Sequence, residues 1–329
     1  MPKPALMLDT VSKSFGSFHA VNELSFQVDH GEIFGFLGPN GAGKTTTLRM
    51  ILEIIPPTSG RLQVLGSDSA ISVRRNIGYL PEERGLYRKM KAFETISYFA
   101  ELRGMPAGKA KKRAFALLEE FGLGEFARNK NESLSKGMAQ KVQLLSTIAH
   151  DPDLLILDEP FSGLDPINQA TLEDLIRRLK DQGKTIIFST HVMEHAERLC
   201  DRFLILAKGT KRFEGTLREA RSAFPPQLIV RTTAQAEILS RLPKVVAIDV
   251  VSDAGPEKDY RVELERGTDP QVFLRAAFEA GLRLSRFEVA NASLHEIFVK
   301  LASETGDSTD GSGPASPSPN NADKEVQAA

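Results

Sequence analysis

The sequence predicts two units in tandem: a larger α/β unit on a sheet buried on both faces, then a smaller α+β unit. Three observations carry this. Short apolar runs at Ile33–Leu37, Leu154–Leu157 and Thr185–Ser189 are separated by helix-like stretches and bounded by turn residues. Strands with both faces buried in a parallel sheet read this way. Pro225-Pro226 then interrupts the chain. Beyond it come a strand (228–232), helix (234–242), strand (245–251), strand (260–264), helix (270–280) and strand (282–289), the βαββαβ order of a ferredoxin-like unit.

Within the first unit, Val21–Val28 alternates as a strand and Ile33–Leu37 (IFGFL) is continuously apolar. The residues after Gly43 read as a helix that ends before Pro56-Pro57. Arg61–Leu65 is a short strand, and Lys109–Phe121 is a charged amphipathic helix. A last helix is expected over Leu294–Leu301. From Ser303 the composition turns to Ser, Gly, Pro, Asn and Asp, which offers too little apolar surface to offset the entropy of ordering, so disorder is expected over 303–329. The chain shows no internal repeat.

Composition bounds the function. The 329 residues are 41% hydrophobic and 26% charged, ordinary globular usage for about two domains. A net charge of -1 gives no ground for nucleic-acid binding. The single cysteine, Cys200, permits no internal disulfide and suits a reducing compartment. The start MPKPALMLDT lacks the charged and apolar segments of a signal peptide, and no run approaches the roughly 18 apolar residues of a membrane span. Any membrane role is expected to run through a partner.

Gly38-Pro39-Asn40-Gly41-Ala42-Gly43-Lys44-Thr45 fits G-x-x-x-x-G-K-[ST], between a strand and a helix. Glycines let successive backbone N–H groups face inward as an anion nest, and the helix start adds a favourable dipole. Lys44 supplies positive charge to the β- and γ-phosphates, and Thr45 offers a hydroxyl to Mg²⁺. The bland alternative is a glycine-rich turn, which would match by chance in about one chain in a hundred of this length. Leu154–Leu157 runs into Asp158-Glu159 at the carboxyl end of a strand, where parallel sheets bind ligands. Asp158 is expected to hold Mg²⁺, and Glu159 to act as general base on water.

The order of these motifs resembles the ATP-binding-cassette ATPases. GPNGAGKTT, which runs to Thr46, is followed by LSKGMAQK (Leu134–Lys141), similar to the family signature LSGGQ, then by LLILDEP, SGLD (Ser162–Asp165) and STH (Ser189–His191). Phe15 stands where the family places an aromatic ring under adenine. The resemblance covers residues 5 to 220 and implies a P-loop NTPase cassette with a mixed sheet core and a helical subdomain. The expected organisation is an ATP-binding domain over 1–222, with the helical subdomain at about 83–150, and an accessory domain over 226–302. It implies two cassettes head to tail, most simply a homodimer, with Leu134, Ser135, Lys136 and Gly137 covering the partner's ATP. His191 would act beside Glu159, and Asp165 would join the two sites. The implied setting is the cytoplasmic face of a membrane, bound to an integral-membrane permease.

Three positions depart from the family. Glu82 replaces the usual glutamine, so a carboxylate is expected at the Mg²⁺ site; Lys136 replaces a glycine, and Met138 replaces a glutamine. YLPEERGLY with LSKGM is similar to a sub-branch associated with sodium or drug extrusion, as is the ending FEVANASLHEIFVKLA. Export is therefore expected, with uptake as the alternative. A soluble cassette ATPase of the translation or DNA-repair type usually carries two cassettes or a long coiled coil; this chain has one phosphate loop and no sustained heptads. Intact Lys44, Asp158, Glu159 and His191 argue against a regulator that binds ATP without turnover. Leu86, Tyr87, Phe93, Tyr98 and Phe99, near the bases Arg84, Arg88, Lys89 and Lys91, are expected to form subdomain core, with one or two aromatics open to a permease helix.

Overall fold

The computed structural model describes residues 3–303 except 84, 253, 254 and 291. Arg84 and the tail after Ser303 lie outside the described residues. The chain runs β1 (Leu6–Phe15), β2 (Phe18–Val28), β3 (Ile33–Leu37), α1 (Lys44–Ile51), β4 (Ser59–Val64), β5 (Ile77–Leu80), α2 (Ala92–Leu102), α3 (Ala107–Glu120) and α4 (Lys136–Ile148). It continues through β6 (Leu154–Asp158), α5 (Pro166–Asp181), β7 (Thr185–Thr190), α6 (Met193–Leu199), β8 (Arg202–Ala207), β9 (Thr210–Gly215) and α7 (Leu217–Ser222). The last elements are β10 (Gln227–Thr232), α8 (Ala236–Leu239), β11 (Val245–Ser252), β12 (Lys258–Leu264), α9 (Pro270–Glu279), β13 (Leu284–Ala290) and α10 (Leu294–Ser303).

The central sheet has the order β5-β6-β7-β3-β8-β9. Its first five strands are parallel and β9 returns antiparallel on β8. β3, β6 and β7 are buried along their whole length, which is why they read as unbroken apolar runs. One face packs on an antiparallel sheet, β2-β1-β4, through a core that includes the rings of Phe26, Phe34 and Phe36. The other face packs on α5 and on the group α2, α3 and α4. The strand β1 and the hairpin β8–β9 carry no reading in the sequence analysis; β1 is bulged against β2, which breaks its alternation.

The C-terminal strands form an antiparallel sheet, β11-β12-β10-β13, with one face on α8 and α9. This is the βαββαβ arrangement expected. Two helices are shorter than their sequence periodicity. α1 stops at Ile51 because Glu53 takes a left-handed φ of 56° and the Ile54 and Ile55 amides return to the Arg49 carbonyl. α8 is a single turn because Thr232 Oγ1 takes the Ala234 N–H and the Tyr260 hydroxyl donates to the Ala234 carbonyl, holding that segment out of helix. α10 seats Leu294 and Ile297, both 0% exposed, against Met193 and Ala196 of α6 and Ala220 of α7.

His150, just after α4, donates from Nε2 to the Ile77 carbonyl at 3.1 Å, while its Nδ1 is buried without a partner among the described residues. Burial pushes its pKa down to about 4, against the pull of that carbonyl, and Arg103 pushes the same way. The unfolded imidazole takes up a proton below about 6.5, and the folded one does so only near 4. Stability is therefore lost as pH falls through that window, by about 2 kcal/mol after allowing for partial exposure. His150→Gln keeps a donor for Ile77 and cannot titrate. Its melting curve is expected to be flatter than wild type between pH 6.5 and 4 and parallel above it.

Candidate active site

The segment 38–43 joins β3 to α1 and curls so that α1 begins at Lys44. Gly43 has φ 102°, and a Cβ there would lie 2.6 Å from the Ala20 carbonyl oxygen, so no other residue fits. Lys44 is 6% exposed and donates to the carbonyls of Gly38 at 2.6 Å and Pro39 at 3.2 Å. Burial lowers the pKa of its ammonium, and the carboxylates of Glu159, Asp158 and Glu82 oppose that shift.

Parallel pairing brings the ends of β6 and β7 level, with Asp158 opposite Ser189. Ser189 Oγ donates to Asp158 Oδ1 at 2.5 Å and accepts the Glu159 N–H at 3.0 Å. Thr45 Oγ1 donates to the same Asp158 oxygen at 3.4 Å, across from the start of α1. Asp158 is 1% exposed, and its Oδ2 is buried with no partner among the described residues. An orphaned carboxylate oxygen beside a threonine hydroxyl is a donor pair that suits a hard divalent cation.

Glu159 follows with a left-handed φ of 48°, a strained conformation for a side-chain-bearing residue. That turn brings its Oε1 to 3.0 Å from His191 Nδ1 and 3.7 Å from Lys44 Nζ. The glutamate side chain is 8% exposed and the histidine 51%, so the pair sits at the rim with the carboxylate inside. Phosphate loop, acidic strand end and switch histidine thus converge at one edge of the central sheet.

A cavity of about 290 Å³ lies over the phosphate loop, lined by its residues from Pro39 to Thr46 with Phe18, Ala20, Glu82 and Glu159. Glu82 also lines an adjoining space with Asp158 and Glu159. Phe15 is 52% exposed at the tip of the β1–β2 hairpin, with the Lys13 ammonium 5.1 Å from its ring, and it is not among the cavity's lining residues. Phe18, which the sequence reading passed over, pairs directly across from Phe15, is 63% exposed and does line the cavity. Directly paired strand residues point to one face.

Ser135 caps α4, accepting the Met138 N–H at 3.3 Å, so Lys136 and Gly137 form its first turn. Ser135, Lys136 and Gly137 line neither space beside the phosphate loop. Asp165 caps α5 through the Asn168 N–H at 3.0 Å. Gln140 of α4 was also missed: buried, it donates to the Pro160 carbonyl at 2.7 Å and ties α4 to the segment carrying Glu159. Its signal, a glutamine on the inner face of a helix, is not distinguishable in sequence from a surface residue.

Comparison with known proteins agrees with this geometry. Residues 21–162 match the family profile described as ABC transporter, and residues 215–302 match that of the DrrA1-3-like ATP-binding protein C-terminal domain. The chain is 38% identical over 90% of its length to the uncharacterized ABC transporter ATP-binding protein YhaQ of Bacillus subtilis, covering 97% of that protein. It is 32% identical over 91% of its length to the linearmycin resistance ATP-binding protein LnrL of the same species, covering 99% of it. It is 40% identical over 65% of its length to the Nod factor export ATP-binding protein I of Paraburkholderia xenovorans, covering 72% of it. Among solved structures, an ATP-binding subunit of an ABC transporter superposes with a TM-score of 0.62 at 33% identity, over 67% of this chain and 92% of that one.

Proposed function

Because this chain belongs to the family of ABC transporter ATP-binding subunits, P-loop ATPases that work with a membrane permease, we propose that it powers export as a homodimer at the cytoplasmic membrane face. The single observation that carries the hydrolytic reading is the convergence of Lys44, Asp158, Glu159 and His191 within hydrogen-bond or ion-pair reach of one another or of shared partners. Export draws on the relatives named for linearmycin resistance and for Nod factor export. No helix among the described residues is long and apolar enough to cross a membrane, so the permease is a separate component on this reading.

The residues divide the work as follows. Lys44 and the backbone N–H groups of residues 40–46 hold the phosphates of ATP. Thr45, Asp158 and Glu82 would hold Mg²⁺, which when bound offsets phosphate charge. Glu159 accepts a proton from the attacking water, and His191 fixes that carboxylate through its Nδ1 bond. Phe15 and Phe18 offer faces for the base. Leu134, Ser135, Lys136 and Gly137 act on the partner's ATP, and Asp165 lies at the shared interface.

We place the domain boundary in Phe224-Pro225-Pro226, between α7 and β10, which supports an ATP-binding domain over 1–222 and an accessory domain over 226–302. β9 belongs with the first of these because it pairs with β8. For the permease, the candidate seat is a groove of about 230 Å³ between β5 and α2, lined by Tyr79, Leu86 and Phe99. Tyr87 and Tyr98, 52% and 40% exposed, stand beside Phe99 in a ring cluster, whereas Phe93 stacks on Phe115 in the core.

Glu159→Gln keeps shape and loses basicity. It is expected to bind ATP, to cut turnover by two orders of magnitude or more, and to sediment as an ATP-dependent dimer; Lys44→Ala is expected to lose both ATP binding and turnover. Normal turnover in Glu159→Gln would remove it as the base.

Phe18→Ala is expected to weaken ATP binding about tenfold, the loss of one stacked base, and to leave tripolyphosphate binding unchanged. Phe15→Ala run in parallel apportions the base platform, and unchanged ATP affinity in Phe18→Ala would assign it to Phe15 alone.

Gly137→Asp tests the shared site. The new carboxylate would face the partner's γ-phosphate and repel it in a poorly hydrated space. Its Cβ would also sit 3.1 Å from Asn168 Nδ2, so ATP binding and melting are measured alongside. Turnover is expected to fail with ATP binding retained, and mixing with Lys44→Ala protein is expected to restore part of it. Full activity in Gly137→Asp alone would leave each subunit self-contained.

A further inference from the structure

His195 and Glu173 have no place in the motifs above. His195 lies on α6, which starts two residues after His191; Glu173 lies on α5, two turns beyond the Asp165 cap. They are 3% and 7% exposed, and His195 Nδ1 is 3.2 Å from Glu173 Oε1. Arg198 reaches the same oxygen at 3.0 Å, and Arg177 reaches Oε2 at 3.7 Å. Arg198 Nη2 also lies 3.3 Å from His195 Nδ1, so the three groups form one cluster; with the proton on Nδ1, the imidazole and Arg198 both donate to the Glu173 carboxylate. Both arginines are about half exposed, so water screens them, whereas the histidine contact is buried and directional.

The imidazole also touches the segment that carries Glu159. Its ring stacks on Phe161 at 4.0 Å with 13° between planes. Phe161 lies two residues past Glu159 and meets the edge of Phe188, which precedes Ser189 on β7. Gln140 grips the same segment through Pro160 from the other side. An apolar pair would fill this space without the desolvation cost of burying a carboxylate; what the polar pair adds is a fixed orientation of α6 against α5.

We propose that the His195–Glu173 hydrogen bond is a positioning brace for hydrolysis, setting how His191 approaches Glu159; this rests on the roles given above to those two residues. Neither residue of the brace lines the two spaces beside the phosphate loop, so it acts on turnover and not on ATP affinity.

The test compares His195→Phe, His195→Ala, His195→Asn and Glu173→Leu with wild type, reading kcat, ATP Kd and melting temperature. Phe keeps the stack and loses the bond; Asn places an amide nitrogen where Nδ1 stood. Expected are a kcat about tenfold lower for Phe, Ala and Leu with Kd within about twofold, the cost of a small misplacement at a reacting pair. Asn is expected to recover to within about threefold, and His195→Phe/Glu173→Leu to be no worse than either single change. A kcat for His195→Phe within twofold of wild type overturns the brace. So does loss of ATP affinity and stability in step with kcat without rescue by Asn, which would make His195 a packing residue. Glu159→Gln and His191→Ala separate the premise: if their turnover matches wild type, the roles given to those two residues have failed, whatever His195 does.

Discussion

The hydroxyl of Ser189 is the contact on which the site depends. It donates to the Asp158 carboxylate and accepts the Glu159 N–H, so one side chain on β7 orients two consecutive residues at the end of β6. A hydrogen bond from a buried hydroxyl to a carboxylate contributes about 1.5–3 kcal/mol, and leaving either partner unmet costs a similar amount. The bond is possible only because parallel pairing puts Asp158 opposite Ser189, and β3, on the far side of β7, ends level at Leu37 opposite Thr190. Three strand ends in register therefore set phosphate loop, acidic pair and histidine at one edge. The apolar strands matter to function through that register.

Charge is distributed so that this edge is incomplete by itself. Asp158, Glu159 and Glu82 surround one buried ammonium, which leans on the carbonyls of its own loop. Its hydrogen bonds go to neutral carbonyls, with Glu159 farther off at 3.7 Å, so a charged phosphate oxygen is a stronger acceptor that would replace them. Asp158 Oδ2 has no partner among the described residues, although buried polar atoms normally find one. The strained φ of Glu159 belongs with these features: the backbone is bent to aim a carboxylate that packing alone would turn away.

Much of the fold was legible in the sequence because the strands of a doubly covered sheet are unbroken apolar runs, and Ile33–Leu37, Leu154–Asp158 and Thr185–Ser189 have no other simple reading. The bulged β1 was not, since its burial does not alternate and its partners lie in β2 and β4. The loop residues of the site were legible because phosphate binding demands particular side chains at fixed spacing. Phe18 was not: SFGSFHAV holds two phenylalanines that pair on one face of the hairpin, and only the folded chain shows that Phe18 lines the cavity and Phe15 does not. Gln140 and Ser189 lie inside quoted motifs, but their contacts escaped because the partners, Pro160 and Asp158, are distant in the chain.

The short helix α6 shows how far this hidden information extends. At 100° per residue, Met193, Ala196 and Glu197 share one face of MEHAERL, and His195 and Leu199 share the opposite one. The first face meets the accessory unit: Met193 and Ala196 pack with Leu294 and Ile297 of α10, and Glu197 accepts the Leu294 N–H at 2.6 Å. Arg221 closes that seam by reaching both Glu197 and the Ala292 carbonyl. The second face meets α5 and Phe161. Two buried faces leave Glu194 and Arg198 as the exposed stripe, so the heptapeptide has no single amphipathic direction and reads as an unremarkable polar helix. The helix that follows His191 is thus held between the central unit and the C-terminal one, and its His195, Glu197 and Arg198, each with a defined partner, set its orientation more sharply than apolar packing of so short an element would.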